Sequence, residues 1–294
     1  MIKKTKHLLM LLLALSINIF AQREDYQPQP EEEKNNIQTY TPSKLLNKGQ
    51  WDIKFFNNLY TETRSNFNGL TSNKPRDNFF TSSLEVFTGI SDNNRLNIGA
   101  IVEFRSNTIA GRQALSVFSL KNTNSDRKGI TSIAPVIKFQ PIKNISNFSI
   151  QSAVHIPLIV KETDENGVFL DQTAWTFQNR FFYDYTFGGG DWQLFSEINT
   201  EYGFGNDNSF ANNTFLIVPG AFLSYFPTNK STVLVYVQQA QRFGNLSQNY
   251  TALGLGGKHQ ITKVLNLEAL YSKFVRGQDT GLGQSFNLGL RALF

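Results

Sequence analysis

The sequence predicts an all-β fold, a transmembrane antiparallel β-barrel of about twelve strands. Three observations point there. From Gln50 to Phe294, apolar and polar side chains alternate with period two, so each strand has two unlike faces. The breaks between these runs alternate between short and long. Aromatic residues reach 13% of the chain against only 17% charged residues, and no apolar run is long enough to cross a bilayer as a helix.

The N-terminus has the order of an export signal. Lys3, Lys4 and Lys6 form a positive segment, Leu8 to Phe20 is apolar apart from Ser16 and Asn18, and Ala21 is the expected cleavage residue. Residues 1–21 are therefore assigned to a signal peptide. Residues 22–49 carry Pro28, Pro30, Glu31, Glu32 and Glu33 and little apolar content, and read as a mostly disordered lead segment that hangs in the periplasm, the alternative being that it enters the lumen as a plug. Residues 50–294 contain no linker and form one domain, the barrel.

Within that domain the apolar faces follow in order. The first three runs place Trp51, Ile53, Phe55 and Leu59, then Phe80, Leu84, Val86 and Ile90, then Leu96, Ile98, Ala100, Val102 and Phe104 on one side. Their other faces carry Asp52, Lys54, Asn58 and Glu62, then Ser83 and Glu85, then Glu103 and Arg105. Runs four and five give Ile133, Pro135, Ile137 and Phe139, then Phe148, Ile150, Val154 and Ile156. The sixth sets Trp175, Phe177, Phe181, Tyr183 and Phe187 against Gln178, Arg180 and Asp184, and the seventh Trp192, Leu194, Ile198 and Tyr202 against Gln193, Glu197, Asn199 and Glu201. Phe215 to Phe226 is apolar on both faces, so period two does not orient it. The remaining runs give Val233, Val235 and Val237, then Leu253 and Leu255, then Leu265, Leu267, Ala269 and Tyr271, and last Phe286, Leu288, Leu290, Ala292 and Phe294.

Short breaks fall at Ser91–Arg95, Pro141–Asn147, Gly188–Asp191, Pro227–Ser231 and Thr262–Lys263. Longer ones fall at Arg64–Asp77, Asn107–Lys128, Lys161–Gln172, Gly205–Asn212, Gly244–Asn249 and Gly277–Gly283, all at the opposite rim. Short periplasmic turns, longer extracellular loops and an even strand count are the arrangement of a bacterial outer-membrane barrel. Closure has a physical cause: an unpaired backbone N–H or C=O in lipid costs several kcal/mol, so a sheet with an apolar outer face cannot leave two open edges there. Trp51, Phe139, Phe148, Phe187, Trp192 and Phe294 cluster at the short-turn end, and Phe80, Phe104, Trp175, Phe177 and Phe243 toward the long-loop end. These are the two expected aromatic girdles.

The ending Asn287-Leu288-Gly289-Leu290-Arg291-Ala292-Leu293-Phe294 resembles the terminal strand of Gram-negative outer-membrane β-barrel proteins. Phe286, Leu288, Leu290 and Phe294 match that family's alternation and its terminal aromatic, while Ala292 matches weakly. The resemblance implies an outer-membrane location, partnership with outer-membrane lipid and lipopolysaccharide, and assembly through the barrel-assembly machinery, with Phe294 as the assembly signal.

The inward faces hold the candidate site. If Gly188–Asp191 is a tight turn, Phe187 faces Trp192, Arg180 faces Asn199, and Glu197 and Glu201 lie on the diagonals. Glu85 and Glu103 fall near each other with Arg105 above. These six form a candidate lumen constriction, and the same charges serve equally as ion pairs that brace a narrow barrel. The Asn107–Lys128 loop carries Leu115, Val117, Phe118 and Leu120 and is expected to fold inward as a constriction or cap, or to contact a partner.

Other chemistries are disfavoured. With no cysteine, thiol catalysis, disulfides and cysteine metal sites are excluded. Lys+Arg of 28 and Asp+Glu of 23 leave +5, and removing the three signal lysines leaves +2, too balanced for nucleic acid. An outer-membrane lipid hydrolase needs a Ser–His pair near the outer rim. His155 has inward parity and His259 lies at the short-turn end, so no enzyme, cofactor or metal is assigned. Acidic loop residues Glu162, Asp164 and Glu165, or Asp207 with Asp279, read as solvated charge, the alternative being that they bind Ca²⁺ or bridge lipopolysaccharide. Two functions remain: a narrow channel or transporter for small solutes, or a non-conducting structural, adhesive or complex-forming barrel acting through its loops.

Overall fold

The structure, a computed structural model, describes residues 42–121, 123–205 and 210–294. The signal-peptide segment, most of the lead segment and Asp207 lie outside the described residues. Its strands are β1 (Trp51–Phe67), β2 (Leu70–Gly89), β3 (Leu96–Thr108), β4 (Asp126–Phe139), β5 (Phe148–Pro157), β6 (Thr176–Phe187), β7 (Trp192–Gly203), β8 (Thr214–Thr228), β9 (Ser231–Gly244), β10 (Gln248–Gln260), β11 (Leu265–Gln278), the two-residue β12 (Thr280–Gly281) and β13 (Gln284–Leu293). Each long strand pairs antiparallel with its sequence neighbours, and β1 pairs with β13 from Asp52↔Leu293 to Thr61↔Gln284. The twelve long strands thus close a barrel. Backbone bonds between Trp51 and Phe294 extend the seam to the last residue, and β12 continues it upward against Ser65 and Asn66.

Closure leaves one face for lipid and one for the lumen. Ile53, Phe55, Ile98, Ile137, Ile198, Val233, Val235, Leu255 and Leu288 stand outward. Asp52, Lys54, Glu85, Arg180, Glu197 and Glu268 stand inward. The orientation of β8, undetermined by periodicity, follows from pairing: Glu197↔Gly220 and Phe195↔Phe222 put Gly220, Phe222 and Ser224 in the lumen. The ladder is interrupted beside two prolines, between Ile133↔Ile156 and Val136↔Ala153 next to Pro135, and between Ile217↔Gln241 and Gly220↔Gln238 next to Pro219. Proline has no N–H to give.

Three expectations about the loops change. Arg64–Asp77 is not a long loop: β1 and β2 run on to a two-residue turn, Asn68-Gly69, with φ of 51° and 79°. Both residues are left-handed, as this tightest hairpin turn requires, and Asn-Gly is the pair that supplies it. Gly244–Asn249 likewise shrinks to residues 245–247 between β9 and β10. The third change is the β3–β4 loop, which does not enter the lumen. Its 3-10 turn Ala114–Phe118 packs on outward residues of the wall, with Val117 buried against Leu59 and Phe80.

Candidate functional site

At the short-turn end the lumen is filled. Lead residues 42–49 turn into the barrel instead of hanging below it. Leu46 is 1% exposed within a cluster of Phe87, Ile101, Ala134, Val136, Ala153 and Leu293, all inward-facing. The Leu46 N–H donates to Asn97 Oδ1 at 3.2 Å, Lys138 Nζ donates to the Lys44 carbonyl at 2.9 Å, and the Ser43 hydroxyl bonds the Asp184 carboxylate. Beside this plug, Arg291 reaches Asp52 with two bonds, of 2.8 and 2.6 Å. The pair joins β13 to β1 from within.

Above the plug lies a cavity of about 420 Å³, lined by residues of both ends of the chain, Pro42 and Lys54 through Arg291. One wall is aromatic. Phe195, Phe222 and Tyr236 of three consecutive strands line it, and Phe182 of β6, beside the plug, extends the row, with centroid distances of 6.0, 5.5 and 5.0 Å along it. The row runs on over Gly254 of β10, where an added Cβ would lie 2.2 Å from Tyr236 Cζ. Glycine is needed there for space, not for backbone freedom. Arg180 closes the other end, its guanidinium 5.1 Å from the Phe182 centroid. The remaining wall is charged and paired: Lys54–Glu85 at 3.7 Å, Arg180–Glu197 at 2.7 Å and Lys258–Glu268 at 3.0 Å.

The mouth is narrowed by the β5–β6 loop. Val168 and Leu170 are fully buried, and the Asn107 amide of β3 donates to the Phe169 and Leu170 carbonyls at 2.8 and 3.1 Å. Arg127 holds the loop's start through the Lys161 and Glu162 carbonyls. The descent brings Asp171 to 3.1 Å from Arg105. A second cavity of about 70 Å³ lies here, lined by Glu103, Arg105, His155, Asp171 and Glu201 among others. Burial pushes the Asp171 carboxyl up, and the Arg105 guanidinium pulls it down by less.

The six candidate residues therefore all face the lumen, but at two heights. Glu85, Arg180 and Glu197 belong to the middle cavity, while Glu103, Arg105 and Glu201 belong to the mouth. Arg180 faces Asn199, and Phe187 faces Trp192. Glu201 accepts from Gln178 and Asn199 at 3.0 and 2.9 Å, without touching Arg180. Sequence reasoning missed Asp171, which sits in a loop; it offered a plug only as the second reading of the lead segment and did not single out Leu46. It also left aside Lys258, Glu268, Arg291 and Asp52, whose inward parity was legible. His155 lines the mouth cavity, and His259 Nδ1 meets Ser231 Oγ at 3.0 Å at the short-turn rim. Among the described residues, no three His, Asp or Glu side chains group to hold a metal. Phe294 lies outward beside Trp51 at the base of the seam.

No family model matches the sequence, and no curated protein matches it. The fold has solved counterparts. The COG4313 outer membrane channel from Pseudomonas putida F1 is similar over 87% of this chain and 99% of that one, with a TM-score of 0.67 at 12% identity. The β domain of the Bordetella autotransporter BrkA is similar over 84% of this chain and 99% of that one, with a TM-score of 0.53 at 13% identity. The likeness is one of fold: the chain has the closed antiparallel barrel of outer-membrane proteins.

Proposed function

We propose that the protein is a narrow outer-membrane channel for small solutes, at rest in a closed state. The observation that carries this is the cavity of about 420 Å³ at mid-barrel, walled by aromatic rings on one side and paired charges on the other. A barrel of eight strands fills with its own side chains, and sixteen leave a broad water channel. Twelve strands leave room here for a small molecule with a ring or other apolar part and polar groups. The channel name of the fold counterpart from Pseudomonas putida agrees with this reading. Solute passage requires two movements, release of residues 42–49 below and of the β5–β6 loop above.

The test is conductance of the purified chain in planar bilayers, alone and as Leu46→Asp, which drives the plug out of its apolar seat. Discrete steps, more frequent in the variant, support the channel. Silence from both removes it. Arg180→Ala is expected to change step size or ion preference, because it frees Glu197 in the middle of the path. Unchanged currents make Arg180 a brace. The second reading, a non-conducting barrel acting through its loops, is favoured by the closure of both ends and by the loop on the outer wall.

A further inference from the structure

The β3–β4 loop occupies a place that a lipid-facing wall normally leaves to lipid. Beside the apolar Leu59 and Phe80, the outward residues beneath it include four polar ones, Thr61, Asn78, Ser106 and Thr108, whose bonds are made within the wall and to the loop. Thr61 donates to Asn78 Oδ1 at 2.8 Å, and Asn78 Nδ2 faces Thr108 Oγ1 at 2.9 Å and the Arg112 and Gln113 carbonyls at 3.2 and 3.3 Å. Ser106 donates to the Val117 carbonyl at 2.7 Å, and Thr108 meets Ser116 at 3.0 Å. Phe118 sets its ring edge on Phe80, with 4.9 Å between centroids. The loop is therefore fastened to β1–β3 at the height of the upper aromatic girdle, where Phe177, Tyr202, Phe215 and Phe243 stand exposed on other strands.

Its far side is apolar. Leu115, Phe118 and Leu120 are 68%, 56% and 92% exposed. A single apolar residue on a surface is ordinary, but three on one short segment, at girdle height and continuous with a lipid-facing wall, mark a contact. The loop and its flanks carry the cations Arg112, Lys121 and Lys128 and the acid Asp126, and the Gly111 N–H donates to the carbonyl of Arg76 at 3.0 Å, which brings that residue of β2 beside the loop; Asp77, next to it in the chain, is paired with Lys74. Lys128 and Arg112 hold the loop's own oxygens, whereas Arg76 and Lys121 are exposed at its edge.

We propose that segment 114–121 is an anchor for phosphorylated glycolipid of the outer leaflet. Leu115, Phe118 and Leu120 enter the acyl region, and Arg76 and Lys121 meet the headgroup phosphate. This is the arrangement of an interfacial amphipathic segment, with apolar residues below and cations at phosphate level. It is independent of whether the lumen conducts.

The chain has no cysteine, so Leu120→Cys gives one labelling site. A polarity-sensitive fluorophore there, in the refolded full chain in phosphatidylcholine vesicles, is expected to be quenched by a lipid-borne nitroxide near the headgroup and spared by aqueous iodide. Adding diphosphorylated lipid A displaces the nitroxide lipid and restores emission, while inorganic phosphate does not. In the R76Q K121Q background the lipid A needed for the same recovery rises about fivefold for each cation removed. Iodide quenching overturns the proposal, as does recovery that ignores lipid A or the two cations. So does oxidative cross-linking of the unlabelled Leu120→Cys chain into dimers, which makes a second copy the occupant.

Discussion

Leu46→Ala is the sharpest test of the lower closure. The side chain is 1% exposed among seven packed apolar residues, itself included. Truncating a leucine so buried costs about 3 kcal/mol, through lost burial and the cavity left behind. The polar ties to Asn97, Lys138 and Asp184 remain, so the segment still docks but less firmly. Three kcal/mol shifts the docked-to-free ratio roughly a hundredfold. In single-channel records the open fraction should rise by about that factor, with unit conductance unchanged because the cavity above is untouched. Asn97→Ala removes one hydrogen bond, worth about 1 kcal/mol, and should raise it only about fivefold. Equal gating in wild type and both variants would refute the plug.

Three further outcomes follow from the geometry. Gly254→Val puts a methyl-bearing Cβ into the Tyr236 ring, 2.2 Å from Cζ, and should cost about 1–3 kcal/mol of barrel stability as a lower urea midpoint; an unchanged midpoint would mean the ring moves freely. Asp52→Ala removes the two-bond ion pair to Arg291 at the seam and should cost about 3–5 kcal/mol by the same measurement, and a loss within error would make the pair dispensable. Asp171 has a raised pKa, so its contribution to stability is present below the ordinary aspartate value and is lost as pH rises through the raised one. Asp171→Asn should therefore leave the β5–β6 loop no easier to nick by protease at neutral pH than wild type, the two converging near about pH 4. Faster nicking of the variant at neutral pH would contradict that sign.

How much of this could be read from sequence depended on whether the two faces of a segment differ. Inside the bilayer they do, so Trp51-to-Leu59 and Trp192-to-Tyr202 gave their orientation directly. The Gly188-Gly189-Gly190 turn then set the register that places Arg180 opposite Asn199. Above the bilayer both faces are wet, and Arg64–Asp77 shows no alternation although it is strand; its signal was the Asn68-Gly69 pair. In β8 both faces are apolar, one for lipid and one for the aromatic row, and only pairing separates them. Leu46 and Asp171 owe their positions to contacts with distant strands. The clue for the first was Leu45-Leu46, an apolar pair at the end of a polar lead. The β3–β4 loop shows its apolar residues plainly, but which side of the wall it takes depends on Thr61, Asn78, Ser106 and Thr108, outward polar residues that need partners.

Everything rests on opposite faces of one strand meeting opposite solvents, and two cysteines in β7 measure it most directly. Glu197→Cys and Ile198→Cys are adjacent, one toward the middle cavity and one 42% exposed on the outer wall. In vesicles, and in the Leu46→Asp background whose plug is displaced, a small water-soluble thiol reagent should modify position 197, while a fluorophore on 198 should be quenched by nitroxide lipid. Reaction of both positions with the aqueous reagent, or lipid quenching at both, would contradict a closed barrel with charge inside and apolar side chains toward lipid.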